Sequence, residues 1–241
     1  MFIFAHVFAG ALLGLVVWHL FNDRRAIPPC IAGAILPDLI DKPLGMLLPM
    51  FFEGGRTLFH SLIAVGIVLL FLLIFARSRF LIPGGGMVCG ILLHQIMDEM
   101  WNLPVNWFFP LFGPFQGPEI PDYIETYFWF EITNPSEWIF MIGSVAILLM
   151  SYRDITLISG ISLPNRIRTS TFLLLAGAFF CTGLYLVAAG LTGTAATFIT
   201  PLYLPLPTLF AGVLALCGAV AMSRELVKPG LAVTRSGPAV Q

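Results

Sequence analysis

Charge is what this 241-residue chain has least of. Asp, Glu, Lys and Arg together fill 10% of positions, against roughly a quarter in a soluble domain. Water is therefore excluded as its main solvent. The formal net charge of −1 leaves no basic excess with which to hold nucleic acid or an acidic membrane surface. The four cysteines, Cys30, Cys89, Cys181 and Cys217, are far apart in apolar stretches and form no C-x-x-C pair. Neither a disulfide framework nor a cysteine zinc site is indicated, and buried inert thiols are expected. There is no G-x-S-x-G, and Ser61 beside His60 does not make a catalytic triad. The run Pro83-Gly84-Gly85-Gly86 lacks the following Lys-Ser/Thr of a phosphate loop and reads as a turn. The opening MFIFAHVFAG has no basic region before its apolar run, which argues for a retained first helix and against a cleaved signal peptide. No long-period repeat is visible.

What fills the sequence instead is apolar: 58% hydrophobic residues, and a mean hydropathy of +0.93. A spanning helix needs about 20 largely apolar residues. Stretches of that kind fall at 2–21, 27–52, 61–76, 84–101, 137–152, 171–191 and 205–223. The expected fold is all-α, a polytopic transmembrane bundle of about seven spans. The second span carries Pro37, Asp38, Asp41, Lys42 and Pro43 in its middle, so a broken or re-entrant segment is expected there. Gly10 and Gly14 form a G-x-x-x-G, which marks close helix packing.

Basic residues give the orientation. With the N-terminus outside, Arg24, Arg25, Arg77, Arg79, Arg153, Arg166, Arg168, Arg224, Lys228 and Arg235 all fall inside, ten of the twelve Lys and Arg. Residues 102–136 contain none. They carry Glu119, Asp122, Glu125 and Glu131, and interleave six prolines with Trp107, Phe108, Phe109, Phe115, Tyr123, Tyr127 and Trp129. Such aromatics favour the headgroup level, so this segment reads as a cap on the outer leaflet. The organisation expected is a helical membrane domain with its cap over 1–136, further transmembrane helices over 137–228, and a disordered tail over 229–241. The setting is a cell (plasma) membrane, with the C-terminus cytoplasmic and membrane lipid as the immediate partner.

An ionisable group at bilayer depth costs at least ~2.5–3.5 kcal/mol on insertion scales and defaults to a functional hypothesis. Several arrive together. His6 lies near the outer end of the first helix, Asp38 and Asp41 beyond the midpoint of the second segment, His60 at the outer start of the third, and His94 and Asp98 at the outer end of the fourth. His94 and Asp98, four apart, share a helix face. Imidazole with carboxylate suits zinc, with manganese or iron as competitors. The alternative for the pair is an intramembrane hydrogen bond that joins helices. His19, near the inner end of the first helix beside Asn22 and Asp23, is on the wrong side and reads as interfacial. Arg56 either pairs with a carboxylate, binds a phosphate, or anchors the third helix at the interface. Lys42 reads as the neutraliser of Asp41. Glu99 points about 100° away from Asp98, and Glu53 reads as solvated.

The ordered set His6 with V-F-A-G, L-P-D-L-I-D-K-P at 36–43, R-T-L-F-H-S at 56–61 and H-Q-I-M-D at 94–98 resembles the YdjM-like (DUF457) family over residues 1–115 or so. That family is described as membrane-bound, metal-dependent hydrolases, distantly similar to zinc-dependent phospholipase C and the P1-type nucleases. The resemblance implies His6, Asp38, His60, His94 and Asp98 as ligands of a divalent metal such as zinc. It also implies Asp41 or Asp98 as base or orienting group, Arg56 on the phosphate, and a phosphoester or phospholipid substrate. Many members read D-x-D-H where Asp38 is followed by Leu-Ile-Asp-Lys, and His-Arg where this chain has Gly55-Arg56. Those departures imply one or two metals in place of three. Two other functions compete: an ion or proton transporter with a His/Asp relay, and a metal-stabilised membrane scaffold without turnover. The relay would need polar residues continuing to the inner face, and none of the residues between Arg168 and Arg224 is charged.

Overall fold

The computed structural model describes residues 3–48, 55–117, 128–129, 131–152, 165–194 and 205–227. Among them the regular structure is helical. We number the helices α1 (Ile3–Phe21), α2 (Ile27–Leu47), α3 (Leu62–Phe75), α4 (Ser78–Met97), a single turn α5 (Pro104–Trp107), α6 (Pro135–Ser151), α7 (Asn165–Thr192) and α8 (Pro205–Val227). Every apolar stretch found in the sequence is thus a helix. Four of them are long and apolar enough to cross a membrane: Ile3–Phe21, Ser78–Met97, Ile167–Thr192 and Leu206–Arg224. α3 and α6 are apolar but shorter, and α2 is interrupted by charge, so length and composition support four spans where seven are expected.

Glycine sets the spacing of the first helices. α1 ends at Asn22, whose positive φ of 53° is one that asparagine tolerates past a helix terminus. Asp23 then caps a short 3-10 turn, accepting from the backbone N–H and guanidinium of Arg25. That hydrogen-bonded guanidinium holds the Asp23 carboxyl below its ordinary range. The chain returns along α2, antiparallel to α1. A Cβ on Gly10 would lie 2.8 Å from Ile31 Cα, and one on Gly14 would lie 2.7 Å from Ile27 Cα. The G-x-x-x-G therefore does what its spacing predicts, letting two backbones meet.

α2 is unbroken, contrary to the interruption expected from its prolines. Pro28 and Pro29 sit in the first turn, where no intrahelical donor is lost, and Pro37 and Pro43 lie inside the helix. Internal proline costs about 3 kcal/mol or more. Packing of α2 between α1 and α4 holds the helix together across that cost. Residues 49–54, including Glu53, lie outside the described residues.

The glycine run at 83–86 is a second correction: it is helical, within α4, and no turn. Its function is close approach. A Cβ on Gly86 would lie 2.8 Å from Cys30 Sγ, while Gly33 of α2 abuts the Met87 carbonyl and Gly90 abuts that of Cys30. The matched positions 26 with 86 and 34 with 90 make α2 and α4 parallel. The start of α1, the end of α2 and the end of α4 therefore share one end of the bundle. Arg24, Arg25, Arg77 and Arg79 stand at the other.

α6 packs on α1, and α7 pairs with α8. Phe8, Phe140 and Phe179 meet at the centre of the main core, with ring centroids 5.3 Å, 5.3 Å and 6.4 Å apart. Large apolar side chains cover the outside, Phe71, Ile74 and Phe75 of α3 among them, as a lipid-facing surface requires. Of the cysteines, Cys30 is buried, whereas Cys89, Cys181 and Cys217 are exposed. The expectation of four buried thiols fails for three, because an apolar thiol can face lipid as readily as a core. The described part of the cap, 102–117, stacks Phe109 on Phe115 and sets Trp107 against Phe108. Its residues 118–127 lie outside the described residues, as do 228–241 and the expected tail.

Candidate metal centre

The end of α2 presents Asp38 and Asp41 one turn apart toward the 55–61 turn. Asp41 is wholly buried and works as a cap for that turn. Its Oδ2 accepts from the backbone N–H groups of Thr57 (2.9 Å), Phe59 (2.9 Å) and His60 (3.1 Å). The same oxygen lies 2.8 Å from His60 Nδ1. A carboxylate accepts only, so the ring proton is on Nδ1 and His60 turns Nε2 toward the bundle.

His94, in the last turn of α4, is oriented the same way by a different partner. Its Nδ1 donates to the Ala34 carbonyl at 2.7 Å, which leaves Nε2 as the free lone pair. The two Nε2 atoms face each other across 3.0 Å. Asp38 Oδ1 lies 3.6 Å from the His60 nitrogen and 3.8 Å from that of His94. Asp98, the residue that ends α4, places Oδ2 3.8 Å from His60 Nε2. Donor atoms of Asp38, His60, His94 and Asp98 all lie within 4.8 Å of one another, and all four residues are buried. Ligand atoms around a tetrahedral zinc are about 3.3 Å apart, given bonds of roughly 2.0–2.1 Å. The donor set fits a divalent cation, both in its spacing and in the facing lone pairs that a cation would separate.

The remaining candidates stand around this set. His6 stacks on His94 with centroids 4.0 Å apart and lies 3.1 Å, through Nε2, from Asp98 Oδ1. It lies directly beside the four donors. Arg56 Nη2 is 3.0 Å from Asp98 Oδ2. Lys42 pairs with Asp38, at 2.8 Å, and not with Asp41 as its sequence neighbourhood suggests. Neighbours in a helix point about 100° apart, while residues four apart share a face. His19 is exposed at the far end of α1, hydrogen-bonded to the Leu15 carbonyl. Glu99 turns away at a positive φ of 55° and accepts from Asn102.

A model of the YdjM inner membrane protein family matches residues 1–192. The chain belongs to that family. It is accordingly an inner membrane protein in family and helix content, and the match runs well past the motifs of residues 1–115. Neither a curated protein nor a solved structure matches it.

Sequence reasoning missed several polar residues that hold this YdjM-family site. Gln95 is buried and donates to the carbonyls on both sides of His60, those of Phe59 (3.0 Å) and Ser61 (3.1 Å). Its own carbonyl accepts from the Trp107 indole at 2.9 Å. Asn106 donates to the Arg56 carbonyl at 2.8 Å. At the start of α1, Glu131 and Glu137 accept from the backbone N–H groups of Ile3 (2.8 Å) and Phe4 (2.6 Å). These would otherwise be unpaired donors of a helix end. Glu137, inside an apolar stretch, carried the same depth signal that singled out His94. Gln95 and Asn106 are uncharged and gave no such signal.

Proposed function

We propose that this protein is a membrane-embedded, metal-dependent hydrolase of phosphoesters, with its site toward the outer face. The observation that carries the reading is the pair of Nε2 lone pairs of His60 and His94, fixed by Asp41 and the Ala34 carbonyl, aimed at each other and flanked by two buried carboxylates. Without a cation between them these groups repel. Asp38, His60, His94 and Asp98 would hold the ion, which when bound acidifies a coordinated water and polarises a phosphoryl oxygen.

The other residues take roles from their contacts. Asp41 has its acceptor capacity filled by the 57–60 backbone and His60, so it orients a ligand and is not free to act as a base. His6 holds Asp98 through Oδ1. Arg56 offers a planar fork to a phosphate. Asp98, reached by His6, Arg56 and His60 together, is held as a carboxylate facing the ion. The outer-face assignment rests on the Arg-rich opposite end of α2 and α4. The aromatic segment 107–115 would bring a lipid headgroup to the mouth.

Metal analysis of the purified protein, followed by assay on soluble phosphomonoesters, phosphodiesters and phospholipid in mixed micelles, tests this. Stoichiometric metal and turnover that is lost on chelation and restored by zinc or manganese is the expected result. Bound metal with no turnover on any of these substrates would favour the scaffold. Absence of bound metal would remove the reading altogether.

A further inference from the structure

The residues at the start of α1 read Phe2-Ile3-Phe4-Ala5. None is a Ser, Thr, Asp or Asn that could satisfy the leading N–H groups of the helix locally. The cap comes from far along the chain. Glu131 Oε1 accepts from Ile3 N at 2.8 Å and Glu137 Oε2 from Phe4 N at 2.6 Å, across 128 and 133 residues. Glu137 is buried in the first turn of α6. Beside it Phe4 meets Trp138, with ring centroids 6.4 Å apart. A carboxylate on helix N–H groups makes a charge-assisted bond, which the helix dipole favours further.

This clasp lies two residues from His6. His6 Nε2 is 3.1 Å from Asp98 Oδ1, and its ring stacks on His94 with centroids 4.0 Å apart. Asp98 and His94 both belong to the donor set. With Oδ1 held by His6, Asp98 keeps Oδ2 toward His60, at 3.8 Å. Hydrogen-bonding range ends a few tenths of an ångström beyond the His6 contact, far less than the ~1.5 Å rise of one helical residue. Whatever fixes α1 along its axis therefore fixes this contact. Glu131 also acts on Lys42, so its removal would mix two routes. Glu137 acts on the Phe4 and Ala5 N–H groups, on Glu131 and on the N-terminal amine. That amine also acts on His6 and Asp98, and the experiment has to separate it.

We infer that Glu137 is a positioning residue for the metal centre: it holds the start of α1 and, through His6, sets Asp98 and His94. This rests on the metal-site reading above, so the zinc content of the parent protein is measured first. The test is a double-variant cycle on the full-length protein in detergent, read by chelator titration of zinc. Glu137→Met, which removes the acceptor, should weaken zinc about tenfold, the low end for an outer-shell partner. Glu137→Gln, whose amide oxygen can still accept from Phe4, should recover most of that loss. In a His6→Ala background neither should change zinc affinity by more than about twofold, the spread of independent sites. Both should still lower the melting temperature there, because the helix cap is weakened all the same. Where the methionine variant does not fold, Glu137→Asp takes its place, keeping the charge while withdrawing the oxygen by one methylene. A zinc loss that persists without the His6 ring would mean a different route, such as the N-terminal amine, and overturns the inference. Unchanged zinc affinity in Glu137→Met does the same, and either result leaves the metal site standing. Failure of the parent protein to hold zinc overturns both.

Discussion

His60 Nε2 and His94 Nε2 stand 3.0 Å apart, each ring held by a hydrogen bond from its opposite nitrogen. The two rings come from a turn and a helix that are 34 residues apart in sequence. Their opposition is the feature from which the expected behaviour of the site follows.

Removing a ring or a carboxylate from the donor set should empty the centre. His94→Ala and Asp98→Ala should each lose zinc by more than a hundredfold in affinity, since loss of a mere orienting group already costs 10–100-fold. Elemental analysis after dialysis against a weak chelator measures this. Full metal retention in both variants would end the ligand assignment.

Asp41→Asn tests orientation. Asparagine keeps the size but has one acceptor oxygen where the 57–60 turn and His60 present several donors. Zinc affinity should fall about 10–100-fold, with a loss of stability of roughly 1.5–3 kcal/mol for a charged hydrogen bond removed. Competitive chelator titration and thermal melting read the two effects separately. A variant that melts lower yet binds zinc normally would make Asp41 a turn cap alone.

Trp107→Phe preserves the ring and deletes the indole donor. Gln95 is buried, so its carbonyl would be left without that partner, a cost of about 1–3 kcal/mol. The melting temperature should drop; Gln95→Met should lower it further, because it also removes the donors to the Phe59 and Ser61 carbonyls, and the double variant should fall short of the sum of the two. Strict additivity would show that the bond between them contributes nothing.

Helix spacing gives the sharpest contrast in stability. Gly33→Ala drives a methyl into the Met87 carbonyl, and forcing α2 from α4 should cost at least about 1–3 kcal/mol. It should also lower zinc affinity, because Ala34 and His94 bridge the same two helices. Gly85→Ala, in α4 with open space around it, should be neutral or stabilise by about 0.5–1 kcal/mol. Unfolding in mixed detergent compares them.

Much of this was legible without coordinates. Hydropathy located each long helix because an apolar run of such length has no other stable state in lipid. The depth of His6, Asp38, His60, His94 and Asp98 pointed to one end of the bundle because buried ionisable groups are too costly to scatter. Pro37, Pro43 and the 83–86 glycines misled, since local propensity yields to packing where glycine lets backbones touch. Lys42 was assigned to its neighbour in sequence and belongs to its neighbour in space.

The sequence by itself determined that the chain lives in lipid, where its helices run, and which side chains were too expensive to be idle. Only the tertiary structure decided their division of labour: Asp41 behind His60, His6 against Asp98, Gln95 and Asn106 bracing the turn. The physical reason is that desolvation cost is a property of each residue and its depth, whereas a role depends on which lone pair faces which proton. That is settled by a few tenths of an ångström between segments that are distant along the chain.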